Sequence, residues 1–170
     1  MPISIRGFLD GDTPRVRELF VTVNRMLAPA QLREELEIYF ARALHEEIDR
    51  IGAYYNERRG AFWVAEEAGR IVGNFGLEQA GSDAMELRRM YVDPAARRRG
   101  IAREMLGFAE AECLRRRFRR VVLSTSELQA EAIALYEKAG YRRVREEVAS
   151  AGSNKTVGAG IRRFHFEKTL

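Results

Sequence analysis

One stretch of this chain gathers most of the residues whose types and spacing could do chemistry. It runs Met85-Glu86-Leu87-Arg88-Arg89-Met90-Tyr91-Val92-Asp93-Pro94 and continues Ala95-Ala96-Arg97-Arg98-Arg99-Gly100-Ile101-Ala102-Arg103. Met85 and Leu87 alternate, as do Met90 and Val92, but Leu87 and Met90 are three apart. A strand that keeps all four on one face needs an extra residue, a β-bulge near Arg88-Arg89. Such a bulge leaves main-chain groups unpaired and splays the strand from its neighbour, giving a slot with free N–H groups. Pattern alone leaves a plainer alternative open, in which the two arginines mark a partly solvated strand end. Next come three arginines, Gly100 and a helix start. Free amides at a helix N-terminus attract anions, a glycine lets phosphate approach the backbone, and guanidinium groups add charge-assisted hydrogen bonds. The spacing matches neither a Walker A loop nor the G-x-G-x-x-G dinucleotide fingerprint, but it fits a nucleotide carrying a diphosphate.

The elements that must position these residues can be read from periodicity. Ile3 to Leu9 reads as a short strand, and Thr13-Pro14 opens a helix with Val16, Leu19, Phe20 and Val23 on one face. A long helical stretch from about Pro29 to Tyr55 follows, with Leu32, Leu36, Tyr39, Phe40, Ala43, Leu44, Ile48 and Ile51 as its apolar stripe and Gly52 as its divider or end. Ala61–Glu67 and Ile71–Leu77 flank a Gly-containing turn and predict a hairpin, and Met85–Val92 adds a third strand. A helix spans about Gly100 to Arg116, Val121–Thr125 is a short buried strand, and Ser126-Glu127-Leu128-Gln129 has capping-box form ahead of a helix ended by Gly140. Tyr141–Val148 and Ile161–Lys168 are two last strands around a Gly- and Ser-rich loop that reads as mobile. The order predicts an α/β domain with a mixed sheet and helices on its faces.

Composition bounds the rest. The 170 residues, 46% hydrophobic and 32% charged, suit one domain over 1–170 with a sizeable core. No run of eighteen apolar residues and no secretory signal is visible, so the expected setting is cytoplasmic, away from membranes. A single cysteine, Cys113, excludes an intrachain disulfide; with only His45 and His165 beside it, no metal site is expected. Cys113 lies on an apolar helix face and reads as structural. Of 29 cationic residues all but Lys138, Lys155 and Lys168 are arginines, yet the net charge is only +4, with acidic residues interspersed. That is not the footprint of a nucleic-acid binder.

Two signatures resemble one family. Met90-Tyr91-Val92-Asp93-Pro94 with Arg97-Arg98-Arg99-Gly100-Ile101-Ala102 resembles the central motif of the GNAT superfamily of N-acetyltransferases. Ala132-Ile133-Ala134-Leu135-Tyr136-Glu137-Lys138-Ala139-Gly140-Tyr141 resembles its second motif, a helix carrying A-x-x-L-Y-x-x-x-G-[FY]. The resemblance covers about residues 84–148. It implies the GNAT fold: a mixed, mostly antiparallel central sheet of about seven strands, splayed at a β-bulge and flanked by about four helices. It also implies acetyl-CoA as cosubstrate and a primary amine as acceptor, with no metal. On that footing Met90 and Val92 would hold the pantetheine arm through the main chain, with Tyr91 between them also counted as cofactor-binding. The amides of Arg98, Arg99, Gly100, Ile101, Ala102 and Arg103 would cradle the pyrophosphate, with the Arg97, Arg98 and Arg99 side chains adding charge-assisted hydrogen bonds.

The resemblance places Tyr136 as the acid that protonates departing thiolate, where burial alone would make it a core tyrosine. Glu86, on the strand side opposite Met85 and Leu87, is the candidate base, against the alternative of a carboxylate simply paired with an arginine such as Arg88. Glu78 is a weaker candidate. Gln129 stands where several members carry an asparagine that contacts the cofactor arm, although the capping-box reading also claims it. The acceptor pocket would come from about residues 25–56 and 149–160. Arg25, Arg33, Tyr39, Arg42, Tyr54, Tyr55 and Lys155 there would suit a small amine that also bears a carboxylate. Acetylation of a protein amine and a non-catalytic acyl-CoA sensor on the same fold are the rival readings. Many members dimerise, which leaves a homodimer open.

Overall fold

The computed structural model describes residues 2–170. Seven strands form one sheet: β1 (Ser4–Gly7), β2 (Ala61–Glu67), β3 (Arg70–Gln79), β4 (Ala84–Val92), β5 (Arg120–Ser126), β6 (Arg142–Ala149) and β7 (Ile161–Thr169), in the order β1-β2-β3-β4-β5-β7-β6. Only β4 and β5 run parallel; every other neighbouring pair is antiparallel. Five helices flank it: α1 (Thr13–Leu27), α2 (Arg33–Glu46), α3 (Ile51–Glu57), α4 (Ile101–Arg115) and α5 (Ala130–Lys138). One core lies between the sheet and α4, around Phe75, Met85, Met105 and Phe166. The other lies on the opposite face under α1 to α3, around Phe20, Phe40, Tyr55 and Val64. No helix among the described residues is long and apolar enough to cross a membrane.

The expected bulge is present in β4. Gly76 pairs with Arg88 and Asn74 with Tyr91, so three steps on β4 oppose two on β3. Arg89 takes up the surplus with a left-handed φ of +54°. The buried Asn74 donates from Nδ2 to the Arg89 carbonyl at 2.7 Å, giving the displaced peptide a partner. Register is thereby restored, and Met90 and Val92 share a face with Met85 and Leu87. On the other edge β4 pairs with β5 only from Ala84 to Glu86, opposite Arg120 to Val122. Beyond Glu86 the two strands part.

Three local readings need correction. The stretch from Pro29 to Tyr55 is two helices, and Gly52 lies inside α3; the break is at 47–50. Glu47 occupies the next position on the apolar stripe after Phe40 and Ala43, and its carboxylate is drawn into buried arginines described below. Ser126 is not the cap of α5: its Oγ accepts from the Leu128 amide at 3.3 Å to close a turn, and Gln129 is the N-cap, with no side-chain capping bond. The Gly/Ser-rich loop, read as mobile, is tied down. Arg42 donates to the Gly152 carbonyl at 2.6 Å, Arg89 to that of Asn154, and Val157 packs into the second core.

Candidate active site

Divergence of β4 from β5 opens a cleft on the α4–α5 side of the sheet. Met90, Tyr91 and Val92 form one wall, Leu135 and Tyr136 of α5 the other, and the start of α4 its far end. Since β5 no longer pairs there, β4 presents an unsatisfied main-chain edge like that of an edge strand. Asp93 fixes the turn that follows, accepting from the Ala95 amide at 2.9 Å and pairing with Arg15 at 2.5 Å. Arg98 and Gly100 both adopt left-handed φ, +62° and +79°, which swings the chain into α4. The first helical hydrogen bond of α4 runs from the Glu104 amide to the Gly100 carbonyl, so the amides of Ile101, Ala102 and Arg103 have no partner within the helix. Their dipoles make this end of the cleft attractive to phosphate.

The three arginines divide. Arg97 and Arg98 face the cleft and pair loosely with Glu131 of α5, at 3.6 and 3.8 Å. The side chain of Arg99 turns away to Glu67 on β2 and lines no part of the cleft.

A second cleft opens on the opposite face, beneath the tied-down loop. Tyr39, Glu86, Arg89, Lys155, Ser124 and Arg163 line it. Its floor is a charged cluster. Glu47, fully enclosed at 0% side-chain exposure, receives Arg88, receives Arg89 at 3.0 and 3.1 Å, and accepts from the Tyr55 hydroxyl at 2.7 Å. Arg89 also donates to the Tyr39 hydroxyl at 2.7 Å, and Arg88 reaches Glu78 at 3.2 Å. Burial alone would push the Glu47 carboxyl up, but Arg89 and Arg88 outweigh it and hold the group at about 2. Glu47 is therefore ionised, saturated and closed off. Burial raises the Tyr55 and Tyr39 hydroxyls above the ordinary tyrosine value. Gly76 makes the arrangement sterically feasible: a Cβ there would sit 2.6 Å from the Tyr55 ring.

Glu86 lies on the side expected, lining this cleft, and is bound by Lys155 Nζ at 2.8 Å, with Arg88 at 3.7 Å. Glu78 is buried, pairs with Arg58 and Arg88, and does not line the cleft. Of the residues expected to form the acceptor pocket, Tyr39 and Lys155 line it. Arg25 is on the surface with Glu37 at 2.8 Å, Arg33 is exposed, and Arg42 is spent on the loop. Tyr54 and Tyr55 are core residues. Cys113 is buried, which raises its thiol to about 12 and leaves it inert. No group of three or more His, Cys, Asp or Glu among the described residues is placed to hold a metal ion.

The two clefts meet where β4 and β5 part. Met90, Tyr91, Gln129 and Tyr136 border both. Tyr136 is buried with its ring against Tyr141 and Phe166, and burial, followed by Tyr91, keeps its hydroxyl protonated well above neutrality. The Gln129 carbonyl oxygen accepts from Thr125 Oγ at 3.1 Å, which leaves its NH₂ free to donate. Glu47 and Arg163 went unnoticed in the sequence. A carboxylate at a core position of the α2 stripe was the available signal for Glu47; Arg163 gave none, because the partners of β7 cannot be read from its own residues.

Comparison with known proteins fits this geometry. The Acetyltransferase (GNAT) family profile matches residues 28–141. N-acetyltransferase YjgM of Escherichia coli K12, itself described as uncharacterized, is 35% identical over 100 residues, which are 57% of this chain and 60% of that protein. N-acetylaspartate synthetase of Danio rerio is 36% identical over 116 residues, 67% of this chain and 41% of that protein. The chain thus spans between 41% and 60% of the length of these two relatives. Among solved structures, PaiA N-acetyltransferase of Thermoplasma acidophilum in complex with coenzyme A superposes with a TM-score of 0.74 at 18% identity, over 100% of both chains. YncA of Salmonella typhimurium with acetyl-CoA gives 0.70 at 18% identity, over 100% of this chain and 95% of that one. At such identity the likeness is one of fold.

Proposed function

Because the chain belongs to the GNAT acetyltransferase family, we propose that it transfers the acetyl group of acetyl-CoA to a primary amine, by direct attack while both substrates are bound. The observation that carries this reading is the junction of the clefts at Met90, Gln129 and Tyr136. A pure acyl-CoA sensor needs the first cleft only; a second, charged cleft opening onto the same point suits an acceptor.

The unpaired edge of β4 fits the amide-rich pantetheine arm, with Met90 and Val92 holding it through main-chain hydrogen bonds as a neighbouring strand would. The amides from Arg98 to Arg103, with the Arg97 and Arg98 side chains, suit the pyrophosphate. An N–H near Met90 polarises the thioester carbonyl, and Gln129 donates its amide to the arm. The amine nitrogen bonds to the carbonyl carbon as the carbon–sulfur bond breaks. Tyr136 gives its proton to the leaving sulfur and is reprotonated from solvent. Glu86 accepts the proton lost by the amine, directly or through water. Glu47, held at about 2 and enclosed so that it lines neither cleft, is too weak and too inaccessible a base for this.

For the acceptor we propose a small metabolite rather than a polypeptide, because the 149–160 loop walls the second cleft with Lys155, Thr156 and Val157 and is held by Arg42, by Arg89 and by the Lys155–Glu86 pair. The test is thiol release from acetyl-CoA with a panel of small amines and peptides, and mass analysis of the product. Release that depends on an amine and yields an N-acetyl product supports the reading. Acetyl-CoA binding without release for any amine would replace it with the sensor.

A further inference from the structure

The charged groups of the second cleft nearly all have a partner of opposite charge within the protein, and one does not. Glu47 neutralises much of Arg88 and Arg89, Glu78 also pairs with Arg88, and Glu86 holds Lys155. Arg163 of β7 stands apart. It is 9% exposed, and its one side-chain partner is the Ser124 hydroxyl, 3.0 Å from Nη2. Among the described residues no carboxylate lies within salt-bridge distance of it. Glu147, opposite Arg163 in the sheet, is committed to His165 at 2.8 Å and Arg145 at 3.6 Å. Arg163 nonetheless faces the cleft beside Glu86, Ser124 and Lys155.

An isolated buried cation is costly, and a structure that keeps one has a use for it. The geometry points to Arg163 as the residue that binds a carboxylate on the acceptor amine, so that the substrates are amino-carboxylates. This rests on the transferase reading above and deepens it. Guanidinium stays charged at working pH and offers five donors in a planar fork; with one spent on Ser124, an edge remains for bidentate contact with a carboxylate. The charge balance favours a monoanion: Arg88, Arg89 and Lys155 are matched by Glu47, Glu78 and Glu86, which leaves one positive charge on Arg163 for the ligand to meet. Burial pulls the Arg163 guanidinium below the ordinary arginine value and the facing Arg89 adds to this, against Tyr39, Tyr91 and Glu147, as for a cation awaiting its partner.

The experiment compares amines in matched sets, each an amino acid, its decarboxylated amine and the corresponding phosphate-bearing amine, with wild type and Arg163→Gln. Wild type should favour the carboxylate member in kcat/KM by about 10- to 100-fold, the range of a charge-assisted hydrogen bond, and R163Q should bring the ratio near one. Thermal shift with the amino acids, which needs no turnover, should reveal a stabilisation that R163Q lacks. The unliganded R163Q protein should melt no lower than wild type, since removal of an unpaired charge relieves the core; a large fall would mark Arg163 as structural and overturn the assignment. Wild type that acetylates decarboxylated amines equally well overturns the carboxylate claim while the transferase stands, and preference for the phosphate amine overturns it in favour of a dianion. Absence of thiol release with every amine, but a carboxylate shift lost in R163Q, would sink the transferase reading and keep the anion site.

Discussion

Replacement of Glu47 by glutamine should be among the most damaging single changes to this fold. The substitution keeps shape and one oxygen but removes the charge that two buried guanidinium groups share. Two routes give its size. Breaking a buried ion pair on one side costs about 3–5 kcal/mol. Independently, a carboxyl held at about 2 instead of 4.5 contributes about 3 kcal/mol near neutrality by linkage. Because the folded value lies below the unfolded one, this stability is fully present above pH 4.5 and fades as pH falls through 2. Urea unfolding of wild type and E47Q at pH 7 should differ by about 3 kcal/mol, or about 6–12 °C in Tm for a chain of this size. By pH 3 the gap should narrow by about 2 kcal/mol, as the wild-type advantage begins to titrate. A gap below about 1 kcal/mol at pH 7, or one that does not change with pH, would refute the reasoning, since a surface pair is worth no more than that.

Tyr136→Phe retains the ring that packs on Tyr141 and Phe166, so Tm should hold while kcat drops about 100-fold or more at saturating substrates; an unchanged kcat would make the tyrosine a core residue only. Glu131→Gln removes the carboxylate facing Arg97 and Arg98 at the mouth of the first cleft, and KM for acetyl-CoA should fall by about 2- to 5-fold, an effect that added salt should erase. Gly76→Ala drives a methyl into the Tyr55 ring and should cost about 1–3 kcal/mol in urea unfolding.

Some of this was legible in the sequence for physical reasons. The three-residue step from Leu87 to Met90 forces a surplus residue on any strand that buries both, and the structure spends it at Arg89. Gly100 after three arginines marked the α4 start, because few other residues adopt that φ cheaply. What stayed hidden depends on contacts between distant segments. Whether Arg88 and Arg89 are solvated or enclosed stays open in the sequence until Glu47, 41 and 42 residues earlier, is brought under them. Arg99 belongs by sequence with its two neighbours, yet Glu67 draws its side chain out of the cleft. Arg163 alternates with Phe164 and so reads as outward-facing; only the placement of β7 between β5 and β6, under a folded-back loop, makes that outer face an interior. The expected capping box failed because Ser126 closes a turn of its own first.

The central claim is that the gap between β4 and β5 holds acetyl-CoA with its thioester at the junction of the two clefts. A crystal structure with coenzyme A tests it most directly. The pantetheine arm should lie along the free edge of β4 at Met90 and Val92, the pyrophosphate on the amides from Arg98 to Arg103, and the sulfur within hydrogen-bond reach of the Tyr136 hydroxyl. Coenzyme A bound elsewhere, or a sulfur remote from Tyr136, would contradict it.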